Sequence, residues 1–206
     1  MSDSERARFW NGVYAGNALE AVSWREDTPD ASLDMMSRAG VAPTASLIDI
    51  GGGASRLVDH LLAKGFGDVS VLDVSQEALA KARMRLGEAG EHVTWIVADV
   101  TLWRPARAFD VWHDRAALHF LTRDEDQRAY VERLKRALRP GGRAILGGFA
   151  PDGPEKCSGL PVVRHDGRSL AALLGADFEI DEERRHDHVT PWGAVQKFQF
   201  SRFTRR

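Results

Sequence analysis

The chain has 206 residues, 43% of them hydrophobic, and sets 28 Lys and Arg against 30 Asp and Glu for a net charge of −2. That balance leaves no electrostatic footprint for nucleic acid, and no apolar run reaches the roughly 18 residues that a membrane-spanning helix needs. One cysteine cannot close an intramolecular disulfide, and the opening Met-Ser-Asp-Ser-Glu-Arg-Ala-Arg has no signal-type apolar stretch, so a single cytoplasmic domain, monomeric or weakly dimeric, is expected.

Residues 1–40 read as a helical arm, with helices over 5–20 and 31–39, ahead of a core over 41–206. The arm carries Trp10, Tyr14 and Trp24, aromatics suited either to a lid over a cationic ligand or to covering a sheet edge. Ser46-Leu47-Ile48-Asp49-Ile50 reads as a strand, Gly51-Gly52-Gly53 as a tight turn and 55–64 as a helix. Glycines there let a ligand approach the backbone closely. A second strand over 69–73 ends in Asp73, twenty residues after Gly53, where an acid hydrogen-bonds ribose hydroxyls in folds of this kind. Ser75 is placed to cap a helix over 75–87, whose Ala78, Leu79, Ala82 and Leu86 make an apolar stripe.

Further strands fall near 93–97, 109–113, 143–149, 178–184 and 195–203, with helices over 124–138 and 168–174. Such alternation predicts an α/β fold with a mainly parallel sheet and helices on both faces. No helix separates the last two strands, which predicts an antiparallel C-terminal hairpin. The basic tail from Ser201 to Arg206 reads as a solvated chain end.

The glycine turn disfavours a pyrophosphate. A dinucleotide fingerprint has a third glycine where Arg56 stands, and Asp49 would repel a phosphate. A carboxylate there suits a ligand with an amino group or other positive charge. Asp49, Gly51 and Gly53, with Ser55 at the third glycine's place, resemble the first motif of the class I S-adenosylmethionine-dependent methyltransferases. Asp73 looks like that family's ribose-binding acid, and Ala98-Asp99-Val100 looks like its adenine-edge motif. Leu138-Arg139-Pro140-Gly141-Gly142 is similar to the turn that follows its fifth helix. The resemblance spans residues 46–146 and implies a Rossmann-like, seven-stranded sheet. It also implies S-adenosyl-L-methionine as cofactor, held by Asp49, Gly51, Gly52, Gly53, Asp73, Val74, Asp99, Val100 and His113.

The fourth strand's carboxyl end would face the reacting methyl, gathering His113, Asp114, Arg115 and His119 there. His113, Asp114 and His119 are the candidate proton acceptors; an Asp114–Arg115 ion pair and a helix-side His119 are the structural alternatives. The Asn/Asp-Pro-Pro-Tyr/Phe signature of amide and nucleobase methylation is absent. Asp-Arg-x-Ala-Leu at 114–118 locally resembles small-molecule methyltransferases of the thiopurine type. Trp10, Tyr14, Trp24, Arg115 and Cys157 are the candidate acceptor contacts, with Cys157 inside a Gly- and Pro-rich insertion over 147–166. His165, His186 and His188 have no chelating spacing, so no metal is expected, and His186-Asp187-His188 reads as solvent-facing. The leading reading is methyl transfer to a small molecule. A protein-lysine methyltransferase, a non-catalytic cofactor-binding protein and an NAD(P)-binding reductase remain as alternatives.

Overall fold

The computed structural model describes residues 3–16 and 22–206. In chain order the elements are α1 (Asp3–Gly16), α2 (Asp30–Arg38), β1 (Leu47–Ile50), α3 (Leu57–Ala63), β2 (Val69–Asp73), α4 (Gln76–Leu86), β3 (Val93–Val97) and β4 (Phe109–Arg115). Then come α5 (Asp124–Ala137), β5 (Leu138–Phe149), the short β6 (Lys156–Cys157) and β7 (Leu160–Pro161), α6 (Gly167–Leu174), β8 (Phe178–Val189) and β9 (Val195–Arg205). Residues 17–20 of the expected first helix lie outside the described residues.

Seven strands form one sheet in the order β3-β2-β1-β4-β5-β9-β8. The strands β1 to β5 run parallel, while β9 is antiparallel to both β5 and β8. Burial on both faces explains the unbroken apolar runs: Leu47, Ile48 and Ile50 of β1 are all fully buried. Leu47 joins Met35, Met36, Leu57, Leu61 and Leu79, which α2, α3 and α4 lay on one face. Ile48 and Ile50 join Tyr130, Leu134, Leu170 and Leu174 of α5 and α6 on the other. Each such leucine contributes roughly 1.5–3 kcal/mol by leaving water.

The chain reverses its winding between β1 and β4, which pair directly. Such a switch opens a crevice at the strands' carboxyl ends. Ser75 starts α4 as expected, accepting from the Ala78 N–H at 3.1 Å. Its hydroxyl donates in turn to Asn11 Oδ1 at 2.8 Å, tying α1 to α4.

Two expectations about loops and ends are corrected. The 147–166 insertion is not irregular throughout, because β6 and β7 pair as a small hairpin within it. The basic tail is mostly strand: Arg202 pairs with Glu182 at 3.0 Å and Arg205 donates to the Leu138 carbonyl, so β9 carries these cations into the sheet. Among the described residues no helix is long and apolar enough to cross a membrane.

Candidate active site

A cavity of about 440 Å³ lies at the crevice, walled by the ends of β1, β2 and β4 and roofed by the N-terminal arm. Gly51 turns the chain at φ +66°, and a Cβ there would come within 2.6 Å of the Ala117 Cβ. At Gly52 a Cβ would sit 2.5 Å from Asp49 Oδ2. Only glycine fits either position, which leaves bare backbone facing the cavity. Gly53 stands just behind them, with Asp73 Oδ2 2.9 Å and the Tyr14 hydroxyl 3.0 Å from where a Cβ would be. Ser55, the departure from a third glycine, has a local reason. Its Oγ accepts the Leu57 N–H at 3.1 Å and so satisfies a free donor at the start of α3.

Three acids reach the site from successive strand ends. Asp49, Asp73 and Asp99 line the cavity together with Val74 and Val100. Burial, opposed by its backbone hydrogen bond from Ser75 and reinforced by the nearby Asp49 charge, pushes the Asp73 carboxyl up to about 7. Asp99 is already engaged: Oδ1 accepts from the Thr101 N–H and hydroxyl, and Oδ2 pairs with Arg6 at 2.6 Å. Five arginines line the cavity, and each faces a carboxylate: Arg6 with Asp99 and Asp126, Arg25 and Arg56 with Asp27, Arg85 with Asp59, Arg115 with Glu26. No unpaired cation among these residues is left to hold a pyrophosphate. Bare glycine backbone and two buried acids without an arginine partner, Asp49 and Asp73, instead fit S-adenosylmethionine.

Trp10, Tyr14, Trp24, Arg115 and Cys157 all line the same cavity. Trp10 packs edge-on against Phe120 at 5.0 Å and against Trp24 at 5.9 Å between ring centres. Tyr14 is buried, and desolvation, with the Asp73 charge beside it, raises its phenol well above the ordinary range. Arg115 donates to Glu26 Oε1 at 2.8 Å and to the Trp24 carbonyl at 3.2 Å, and lies 4.7 Å over the Phe198 ring. Burial raises the Cys157 thiol, so it meets the cavity as an un-ionised packing group.

The candidate proton acceptors sit differently from expectation. Successive residues of β4 point to opposite faces, so His113 turns toward α2 and Asp114 toward α5. Asp114 does not line the cavity; its carboxylate accepts from Tyr130 Oη at 2.6 Å and from the Ala117 and Leu118 N–H groups at 2.8 and 3.0 Å. Its partner is therefore Tyr130 and not Arg115. His119 is not a lining residue either: the turn at Leu118–Phe120 gives the cavity Phe120 and packs His119 against Phe120 and Phe149. Burial, then the charges of Arg115 and His165, push His119 down to about 3. His113 lines the cavity, but both ring nitrogens are taken, by Asp49 and Ser32. His188, expected in solvent, is buried: Nε2 donates to the Ser23 carbonyl at 2.6 Å and Nδ1 is 3.4 Å from Glu26.

Sequence reasoning missed Arg6, Glu26, Phe120 and Ser32. Arg6 and Glu26 sit in a segment whose charges look like any solvated face. Their meaning comes only from partners 93 and 89 residues away in Asp99 and Arg115.

Residues 47–142 match the family model of a methyltransferase domain. The chain is 26% identical over 193 residues to the dTDP-3-amino-3,4,6-trideoxy-alpha-D-glucopyranose N,N-dimethyltransferase of Streptomyces venezuelae, covering 92% of this chain and 77% of that protein. It is 31% identical over 144 residues to N-terminal Xaa-Pro-Lys N-methyltransferase 1 of Ailuropoda melanoleuca, covering 65% of this chain and 64% of that protein. A solved SAM-dependent methyltransferase from Anabaena variabilis shares the fold at a TM-score of 0.79 and 17% identity, over 99% of this chain and 95% of that one. The family-model match over residues 47–142, carried on a sheet and glycine turn of this geometry, identifies an S-adenosylmethionine-dependent methyltransferase domain.

Proposed function

We propose that the chain methylates an amine nitrogen of a small-molecule acceptor. The observation that carries this reading is Glu26, a carboxylate in the wall of an aromatic, arm-roofed cavity. Burial alone would raise its pKa, but the His188 hydrogen bond and the Arg115 charge outweigh burial and lower it. A carboxylate held ionised in this way attracts an ammonium and orients the amine N–H groups, and the proton that the nitrogen sheds passes on to solvent. S-adenosylmethionine supplies a methyl group activated by a positive sulfur.

The chain's own residues do the rest. Asp49 faces the cofactor's amino group, Asp73 its ribose hydroxyls, Asp99 and Val100 its adenine edge, and the glycine backbone its closest approach. Trp10, Tyr14, Trp24 and Phe120 exclude water and narrow the acceptor's poses. Alignment of this kind can supply up to about 7–11 kcal/mol of the barrier. Names of the relatives that specify nitrogen methylation, one of them on an aminosugar nucleotide, support the choice of acceptor atom. A lone, buried, un-ionised cysteine supports a cytoplasmic setting, and the monomeric or weakly dimeric state is part of the same proposal.

A test is incubation with S-adenosylmethionine and a panel of aminosugars, simple amines, thiols and carboxylic acids, read by mass spectrometry. Methylated amines are expected, and Glu26→Gln, which removes the charge that holds and orients the amine, should lower kcat/KM by about 100-fold. Turnover of thiols or acids alone would refute the amine reading. A second reading, a protein amino terminus, is favoured by a neighbouring cavity of about 340 Å³. It shares Arg25 and Glu26 with the first and is lined by Asp27, Asp30 and Asp187, acids suited to a basic peptide. Basic peptides with free amino termini in the same panel decide between the two by kcat/KM.

A further inference from the structure

Three buried polar side chains run in a line away from the cofactor cavity. Asp49, at the end of β1, is 3% exposed, His113 on β4 is 2% and Ser32 in the first turn of α2 is 1%. His113 Nδ1 is 2.7 Å from Asp49 Oδ1, and His113 Nε2 is 2.9 Å from Ser32 Oγ. A carboxylate only accepts, so the shared hydrogen belongs to Nδ1; a hydroxyl can then complete the chain by donating to Nε2. With Oδ1 held in this way, Oδ2 is left against the glycine turn at Gly52.

The order of atoms is also that of a nucleophilic Ser-His-Asp triad. Ser32 cannot serve as a nucleophile here, because it does not line the cavity and is buried on the inner face of α2. What the chain of bonds does is hold the imidazole in one tautomer and orientation, and through it the carboxylate. A flexible Asp49 would have to be ordered each time a ligand bound; a braced one is ordered beforehand.

We propose that Ser32 is a positioning residue that acts through His113 to aim the Asp49 carboxylate at the amino group of the bound cofactor. The proposal rests on the methyltransferase reading and deepens it, since nothing in the cofactor motif itself points to α2. Ser32 touches no ligand, so its effect has to be selective for the part of the ligand that Asp49 holds.

Calorimetry on the full chain tests this with two ligands. S-adenosylhomocysteine carries the amino group, whereas 5′-methylthioadenosine keeps the adenosine and the thioether but lacks it. Ser32→Ala should weaken S-adenosylhomocysteine by about tenfold, the scale of one hydrogen bond to a charged network, and leave methylthioadenosine within about twofold. Ser32→Cys, which fills nearly the same space with a much weaker hydrogen-bonding group, should show the same selectivity and serves if the alanine variant folds poorly. In parallel, the ring ¹⁵N resonances of His113 should report the Nδ1–H tautomer in the unsubstituted chain, and in Ser32→Ala the Nε2 resonance should shift as its hydrogen bond is lost. Equal weakening of both ligands, no weakening of either, or an unchanged ¹⁵N pattern would overturn the relay. An unsubstituted chain that binds neither ligand would instead overturn the cofactor reading beneath it.

Discussion

Asp73 is the side chain whose ionisation a binding experiment reads most directly. Burial, and then the charge of Asp49, hold its carboxyl near 7, well above the ordinary aspartate value of about 3.9. Ribose hydroxyls donate to the carboxylate and gain less from the protonated acid. Affinity for S-adenosylhomocysteine should therefore be full above about pH 8 and fall as pH drops through 7, approaching tenfold per unit below it. Calorimetry between pH 6 and 8 checks the slope, and Asp73→Asn should bind more weakly and without this pH dependence. Asp49, Asp73 and Asp99 were legible because each ends an apolar strand at a fixed distance from the glycine turn. The roles of Asp114 and His119 were not. Which face of β4 a residue joins depends on one step of register, and which way His119 packs depends on Phe149 beneath it.

At the scale of the element, the arm is fastened by specific polar contacts. Arg6 reaches Asp99 at 2.6 Å and Asp126 at 2.5 Å, Asn11 holds Ser75, and Lys81 of α4 donates to the Tyr14 carbonyl at 2.5 Å. Arg6→Ala leaves the buried Asp99 without its cation and Asp126 with Arg123 alone, and should loosen α1 first. Amide hydrogen exchange over residues 5–16 should quicken by about tenfold or more while β1 and β4 stay protected. Equal quickening throughout would mean that Arg6 stabilises the whole fold and not the arm. The arm's helix, strand alternation and the Ser75 cap could be read from periodicity and capping chemistry. The β6–β7 hairpin could not, since two-residue strands have no period to detect. The burial of His188 was hidden for another reason: its partners, the Ser23 carbonyl and Glu26, come from the other end of the chain.

For the whole molecule, a ligand that fills the crevice joins β1, β2, β4 and the arm, so binding should register as global stability. S-adenosylhomocysteine at a hundred times its Kd should add about 2.7 kcal/mol and raise Tm by roughly 5–10 °C for a chain of this size. Differential scanning fluorimetry checks this, and NADH should give no shift. Alternation in the sequence was enough to foresee a parallel sheet with an antiparallel end. It could not say which of the last two strands lies inside, because both β8 and β9 carry apolar residues. The answer, β9 between β5 and β8, has a consequence for synthesis on the ribosome. The edge strand is made before the strand that joins it to the sheet. Until Val195–Arg205 emerges, β5 has an open row of backbone donors and acceptors and β8 has nothing to pair with. A nascent chain halted after β8 would thus expose an unprotected sheet edge, open to pairing with another chain until β9 emerges.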